Sequence, residues 1–382
     1  MAAPKLDEAL AGLQNIFNKT CKTYGENTAV RADKMTAAYR DIPRLSTGSF
    51  VLDAALGGGI PMGRFTLLYG HESSGKSVIA LKTAASAHRT CRTCRLPASD
   101  CACKGGAFPM TVAWIDAEGV YDYRWAERNG VDNKRLFVVQ DRYAEQVIDV
   151  GEEAIRSGHC DLIVLDSIAA LTTSKEIEAS AEDDLVALLA RALNRLFRKW
   201  GVAIADAKAQ FGIMPTVVLI NQIRLKVGVM YGNPEVLPGG EGQKFLPSVR
   251  AKFKRRPPVY APKGKIPIRA VTDFVIEKNK TFTPYHEGQF ELQIADYEGY
   301  KIGEMPEIAP VAKLAKRWGL IIKGKGGWTV YGDEAKHKTL EDINIYWQER
   351  GDKFDDIKKI LMGVMTSGNA GTTEDTEAEG QE

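Results

Sequence analysis

The sequence predicts an α/β fold: a mostly parallel sheet with helices on both faces, preceded by a helical arm and followed by a smaller α+β module. Three observations carry this. From Leu45 to about Gln293, short β-branched runs alternate with helical patterns, as repeated strand–helix–strand units do. Within that stretch Gly70-His71-Glu72-Ser73-Ser74-Gly75-Lys76-Ser77 matches G-x-x-x-x-G-K-S/T, between an expected strand and an expected helix. The 382 residues are 44% hydrophobic and 26% charged, which excludes fibrous and low-complexity classes. That length leaves room for roughly two domains.

Taken in order, Leu6, Leu10, Leu13, Ile16 and Phe17 recur at spacings of three and four, one apolar stripe of an amphipathic helix. Residues 18–44 are polar and irregular, so residues 1–44 read as an arm whose stripe needs a partner, such as a second copy of the chain. The core is expected over residues 45–297, with strands at 65–69, 111–116, 136–139, 162–166, 215–221, 270–278 and 289–294. Helices are expected after Lys76 and at 121–129, 144–157 and 185–197. Residues 224–242, rich in Gly and Pro, and 255–267, rich in Pro and basic residues, read as loops. Residues 298–365 form the small α+β module, with helices at 309–318, 340–350 and 353–362. Residues 366–382 lack apolar periodicity and predict a disordered acidic tail. The apolar runs at 162–165 and 217–220 are far shorter than the ~20 residues that span a bilayer, and residues 1–13 lack a secretory core. We therefore expect a cytoplasmic protein with no membrane partner.

The Gly70–Ser77 segment is the strongest chemical signal. Its backbone N–H groups can wrap a polyphosphate, helped by the positive end of the following helix. Gly70, Glu72, Ser73, Ser74 and Gly75 would form the cradle, Lys76 would reach the β- and γ-phosphates, and the Ser77 hydroxyl would ligate Mg2+. A second metal carboxylate should end a buried strand, and Leu162-Ile163-Val164-Leu165-Asp166 has that form. Trp114-Ile115-Asp116-Ala117-Glu118 ends another strand in acids. Glu118 there suits a general base that polarises water, and equally suits a helix cap.

With these motifs, Ala54-Ala55-Leu56-Gly57-Gly58-Gly59-Ile60-Pro61-Met62-Gly63-Arg64, Asp166-Ser167-Ile168-Ala169-Ala170-Leu171, Asn221-Gln222-Ile223-Arg224 and Gly228-Val229-Met230-Tyr231-Gly232-Asn233-Pro234-Glu235 make the chain resemble bacterial RecA recombinases. The likeness runs from about Leu45 to Lys280, and divergence elsewhere suggests a remote or phage-borne member. The resemblance implies a RecA-like P-loop ATPase core that forms helical filaments on single-stranded DNA with ATP and Mg2+. It would pair that strand with homologous double-stranded DNA and exchange strands. It assigns Glu118 as the catalytic glutamate, Asp122 and Trp125 to the adenine, and Gln222 to sensing the γ-phosphate. Lys278 and Lys280 would reach the ATP of the neighbouring copy, and Lys244, Phe245 and Arg250 match the interface between copies. Arg224, Lys226, Tyr231, Gly239 and Gly240 fall in the second DNA loop. The first DNA loop departs from the family, since residues 179–187 carry three consecutive acids, Glu182, Asp183 and Asp184. A RecA-fold motor, such as a helicase or branch-migration ATPase, and a non-catalytic single-strand coat are the alternatives.

Cys91-x2-Cys94-x6-Cys101-x-Cys103 lies outside the family pattern, in an insert over residues 88–106. Four thiolates on one loop can close a tetrahedral Zn2+ site, with His88 as a substitute ligand. Free or redox-active thiols are the alternative, and the flanking Arg89, Arg92, Arg95 and Lys104 leave contact with DNA or a partner open.

The formal charge of +2 conceals a cancellation. Between Lys244 and Lys280 eleven Lys/Arg face only Asp273 and Glu277, whereas the tail after Thr366 carries five acids and no base. An anionic tail competes with DNA for a basic surface. Deleting residues 366–382 is expected to tighten DNA binding and lower its Mg2+ requirement in salt titrations; unchanged values for both would refute the competition.

Overall fold

The computed structural model describes residues 6–24, 29, 42–178, 187–225, 234–262, 264–324 and 326–367. The chain divides into two units, Met1–Pro43 and Arg44–Glu382. In the first, helix α1 (Leu6–Tyr24) runs beyond the expected stripe. Gln14 donates to Asn18 one turn on, and the Thr20 and Thr23 hydroxyls return to carbonyls four residues back. Leu10, Leu13, Ile16 and Phe17 are exposed.

The second unit is built on an eight-stranded sheet. Its strands are β1 (Phe65–Gly70), β2 (Val112–Asp116), β3 (Leu136–Val139), β4 (Leu162–Asp166), β5 (Thr216–Gln222), β6 (Val249–Tyr260), β7 (Pro267–Asn279) and β8 (Glu287–Gln293). The order is β8-β7-β6-β1-β5-β4-β2-β3, parallel from β6 to β3 and antiparallel at β7 and β8. Strict alternation sorts the central side chains. Leu162, Val164, Val218 and Ile220 enter one apolar cluster, and Ile163, Leu165, Val217 and Leu219 enter the other. Helix α2 (Phe50–Leu56) and helix α3 (Lys76–His88) cover the first face. Helix α4 (Tyr123–Arg128) adds Ala126 to it. The other face is covered by α5 (Ala144–Arg156) and, beyond the short α6 (Ser174–Glu178), by α7 (Leu188–Phe211). Each fully buried Val, Leu or Ile in these layers stabilises the fold by about 1.5–3 kcal/mol.

Two expectations are corrected. Residues 255–260 are strand and not loop: β6 continues to Tyr260, and the turn after it, where Ala261 N–H donates to the Ile266 carbonyl, leads into β7. Beyond Phe253, β6 pairs with β7 alone, so Pro257 and Pro258 sit where one edge is open and the register shifts between Arg256 and Val259. The helix expected at 185–197 extends to Phe211, because Trp200, Ala203, Ile204 and Ala207 continue its buried stripe past Gly201. Residues 179–186, including the acids of the first DNA loop, lie outside the described residues.

After the short helix α8 (Gly242–Phe245) and strand β8, the chain forms α9 (Ile308–Arg317), α10 (Leu340–Glu349) and α11 (Gly351–Ser367). These accompany a three-stranded antiparallel sheet, β9 (Ile321–Gly324), β10 (Gly327–Val330) and β11 (Lys336–His337). Val311, Leu314, Ile343, Trp347 and Leu361 continue the first apolar cluster. Thr366 and Ser367 close α11, with the Thr366 hydroxyl donating to the Met362 carbonyl, so helix replaces tail at those two positions. Residues 368–382 lie outside the described ones. Among the described residues no helix is long and apolar enough to cross a membrane.

Helices α5 and α7 meet at Gly151, where an added Cβ would lie 2.0 Å from Cζ2 of the fully buried Trp200. The Trp200 indole cannot withdraw, since its N–H donates to the Ile148 carbonyl at 2.8 Å. Gly151→Ala is expected to destabilise the chain by about 1–3 kcal/mol in urea unfolding. Gly363→Ala, in α11 with nothing within 4 Å of the added Cβ, should stabilise it by about 1 kcal/mol.

Candidate active site

Parallel pairing sets Gly70 of β1 opposite Gln222 of β5, and Asp116 of β2 opposite Asp166 of β4. The carboxyl ends of four strands thus meet at a cavity of about 300 Å3 lined by Glu72–Ser77, Glu118, Asp166 and Gln222. Gly70 is required by close approach, because a Cβ there would stand 2.2 Å from the Phe253 carbonyl oxygen.

Lys76 is buried, and its Nζ donates to the His71 carbonyl at 2.7 Å, the Gly70 carbonyl at 3.2 Å and the Ser74 hydroxyl at 3.3 Å. Burial holds its pKa down, against the pull of Asp166, Glu118 and Glu72. A buried ammonium bonded only to neutral oxygens is a site that an added polyanion would stabilise. Beside it the Ser77 hydroxyl bonds the Asp166 carboxylate, whose pKa burial pushes up to about 6. A hydroxyl and a carboxylate are hard oxygen donors, and the set fits Mg2+ with a polyphosphate.

Glu118 and Asp116 have separate tasks. Asp116 accepts from the N–H groups of Gly119, Val120 and Tyr121 at 2.9–3.1 Å, fixing the turn that follows β2. Glu118 stands on that turn and lines the cavity; its Oε1 accepts from the Ser167 hydroxyl at 2.6 Å and from Gln222 Nε2 at 2.8 Å. Nothing in this pairing is a helix cap.

Other sequence candidates lie elsewhere. Asp122 caps α4 by accepting from the Arg124 and Trp125 N–H groups, Trp125 packs against the apolar cluster, and neither lines the cavity. Lys278 and Lys280 also stand outside it, their Nζ groups donating to the Phe245 carbonyl at 2.6 and 3.4 Å. Arg224 donates to the Ala169 carbonyl, and Arg224–Leu225 pairs with Glu235–Val236. Lys226 and Tyr231 lie outside the described residues. Gly239 and Gly240 pack on α7, where added Cβ atoms would meet Leu193 at 2.1 Å and Ala190 at 2.6 Å. Cys91, Cys94, Cys101 and Cys103 draw together near the residues that precede β2 and β4, away from this cavity. His88 is not among the ligand atoms gathered there, and its Nδ1 accepts from the Asp132 N–H.

Sequence reasoning missed Arg255, which lines the cavity opposite the Gly70–Ser77 loop, and Thr272, whose hydroxyl donates to the Ser74 carbonyl. Alternation of Val249, Ala251 and Phe253 with Arg250, Lys252 and Lys254 was the available signal for that strand.

The RecA N-terminal domain family matches residues 11–299. The chain belongs to the RecA family. Protein RecA of Dichelobacter nodosus is 33% identical over 363 residues, 95% of this chain and 94% of that one. Protein RecA of Sulfurovum is 35% identical over 352 residues, 91% of each chain, and that of Thermus aquaticus is 33% identical over 352 residues, 92% and 93%. The function is accordingly that of a RecA-type recombinase, and DNA-dependent ATP hydrolysis, with Mg2+, is the activity of the RecA family to which it belongs.

The raised pKa of Asp166 has a definite sign in stability. Folded, the carboxyl keeps its proton to about pH 6; unfolded, it releases it near 3.8. Ionisation therefore opposes folding increasingly from about pH 4 to about pH 6, levels off above that, and has no effect below. Asp166→Asn should stabilise the nucleotide-free chain at about pH 8, the gain vanishing near pH 4, while Mg2+-dependent ATP hydrolysis falls by about two orders of magnitude. Equal stability of the two chains across that range, in urea unfolding, would refute the burial argument.

Proposed function

We propose that this RecA-family chain binds and hydrolyses ATP between adjacent copies in a helical filament on single-stranded DNA, pairs that strand with homologous duplex, and exchanges strands. The observation that supports it most is the Gln222–Glu118 hydrogen bond, because Gln222 ends the strand leading into residues 224–240. Asn221, next to it, donates to the Pro238 carbonyl and to Gln243 Oε1, and Gln243 donates to the Pro238 and Gly240 carbonyls. This buried amide knot closes the base of the DNA-binding segment one residue from the nucleotide sensor.

In this reading the Gly70–Ser77 amides and Lys76 bind the phosphates, and Arg255 faces them across the cavity. Mg2+, when held by Ser77 and Asp166, neutralises charge on the phosphate oxygens. Glu118 takes the proton of the attacking water, and Ser167 positions its carboxylate. Gln222 leaves Glu118 for the γ-phosphate and carries that change to Arg224, Lys226, Tyr231, Gly239 and Gly240. Asp122 and Trp125 serve the adenine. Lys278 and Lys280, directed away from their own chain's cavity, act on the ATP of the next copy beside the Lys244, Phe245 and Arg250 interface.

Assembly uses residues 1–44 as an arm. Edge strand β3 exposes Phe137, beside an apolar cavity of about 270 Å3 lined by Ile115, Val139, Val150, Ala154 and Ile163, and this surface receives the α1 stripe of a second copy. Residues 298–365 act as an accessory module and 366–382 as an acidic regulator. The working compartment is the bacterial cytoplasm, of host or phage origin.

The deciding experiment measures ATP hydrolysis with and without single-stranded DNA, alongside strand exchange. Lys76→Ala should abolish nucleotide-dependent filaments. Glu118→Gln should retain ATP, slow hydrolysis by about 100-fold or more, and prolong DNA residence. Rapid hydrolysis by the Glu118 variant would remove its assignment, and closed rings in electron micrographs would replace the filament with a motor.

A further inference from the structure

The segment between α3 and β2 has almost no core of its own. Leu96 and Phe108 are exposed, and of its cysteines only Cys91 is buried. Two isolated bridges, Thr90 to Pro97 and Cys91 to Pro109, are its ladder pairing. So small an apolar content cannot offset the entropy of ordering about twenty residues. Yet the four cysteine sulfurs lie within 4.8 Å of one another.

Their arrangement is that of a metal centre rather than of disulfides. The Cys94 and Cys101 sulfurs are 3.6 Å apart, well beyond the ~2.05 Å of an S–S bond. A tetrahedron of sulfurs each ~2.3 Å from Zn2+ has edges of about 3.8 Å. The backbone is turned to suit. Arg95, just after the second cysteine, adopts a left-handed φ of 62°, and its N–H donates to the Cys91 carbonyl at 2.8 Å. On the other half, the Gly106 N–H closes a turn on the Cys103 carbonyl at 3.0 Å.

The basic residues around the cluster are anchored to the body. Arg92 pairs with Asp161 at 3.1 Å, donates to the Gly158 carbonyl at 2.8 Å and lies over the Phe108 ring. Arg95 donates to the Gly212 carbonyl at 2.9 Å. Asp161 in turn accepts from the Thr111 N–H at 2.9 Å, tying the residues before β2 to those before β4. Four thiolates around a dication carry a net charge of −2, which nearby arginines stabilise.

We propose that Cys91, Cys94, Cys101 and Cys103 bind one structural Zn2+, which folds this insert and clamps it across the amino ends of the parallel strands. Its coordination is closed, with four sulfur ligands and no open position for a substrate. Binding releases the thiol protons, so affinity for the metal falls as pH drops.

Elemental analysis of the full chain after gel filtration should give one zinc per chain. Replacement by Co2+ should give the intense visible bands of a tetrahedral tetrathiolate. The paired change Cys101→Ser, Cys103→Ser should release the metal and open residues 89–109 to proteolysis. A metal-free wild-type chain whose four thiols react freely, a Cys94–Cys101 disulfide, iron in place of zinc, or zinc retained by the double variant would each overturn the proposal. If the double variant fails to fold, the cobalt spectrum of the wild-type chain decides, since bands of an oxygen- or nitrogen-ligated ion would also overturn it.

Discussion

Six parallel strands can bring their carboxyl ends to one edge only if none slips, because a one-residue slip turns every side chain to the opposite face. Here the register is fixed twice. The central residues alternate between two apolar clusters, so a slipped β4 or β5 would drive Val and Leu into the wrong layer and carry Asp166 or Gln222 out of the cavity. The hydrophobic effect that holds the fold therefore also sets the distances among Lys76, Glu118, Asp166 and Gln222. Several members of the polar site, the buried Lys76 and Asp166 above all, oppose folding and are held in place by that scaffold.

Charge is distributed less freely than a count suggests. Within the basic stretch from Lys244 to Lys280, Arg250 pairs with Glu277, Lys252 with Glu235, Arg256 with Asp273, and Arg269 with Glu291 and Glu298. These partners come partly from outside the stretch, so the field available to a polyanion is smaller than the local surplus of cations. Arg255 stands apart from these pairs and opens on the cavity.

The legible parts of the sequence were those whose meaning is contiguous. Gly70–Ser77 and the run ending in Asp166 each carry their chemistry within eight residues or fewer, and the structure brings them together. Strand β6 was hidden because Pro257 and Pro258 read as breakers, and only the one-sided pairing beyond Phe253 explains why they are tolerated. Arg255 was missed with it. The length of α7 was hidden by Gly201, whose propensity cost is overridden by Trp200 and Ile204. Asp116 and Glu118 could not be told apart by spacing, because the difference is one of direction: one turns inward to three backbone amides, the other toward the cavity. The task proposed for Lys278 and Lys280 needs two chains, which no single fold contains.

A carboxylate oxygen offers two lone pairs, and both on Glu118 Oε1 are engaged, by Ser167 and by Gln222. That oxygen has nothing left with which to draw a proton from water. Oε1 is thereby an anchor, and under the proposed function it is the second oxygen, Oε2, that is left to take a proton, while the departure of Gln222 would free one lone pair on the anchoring atom.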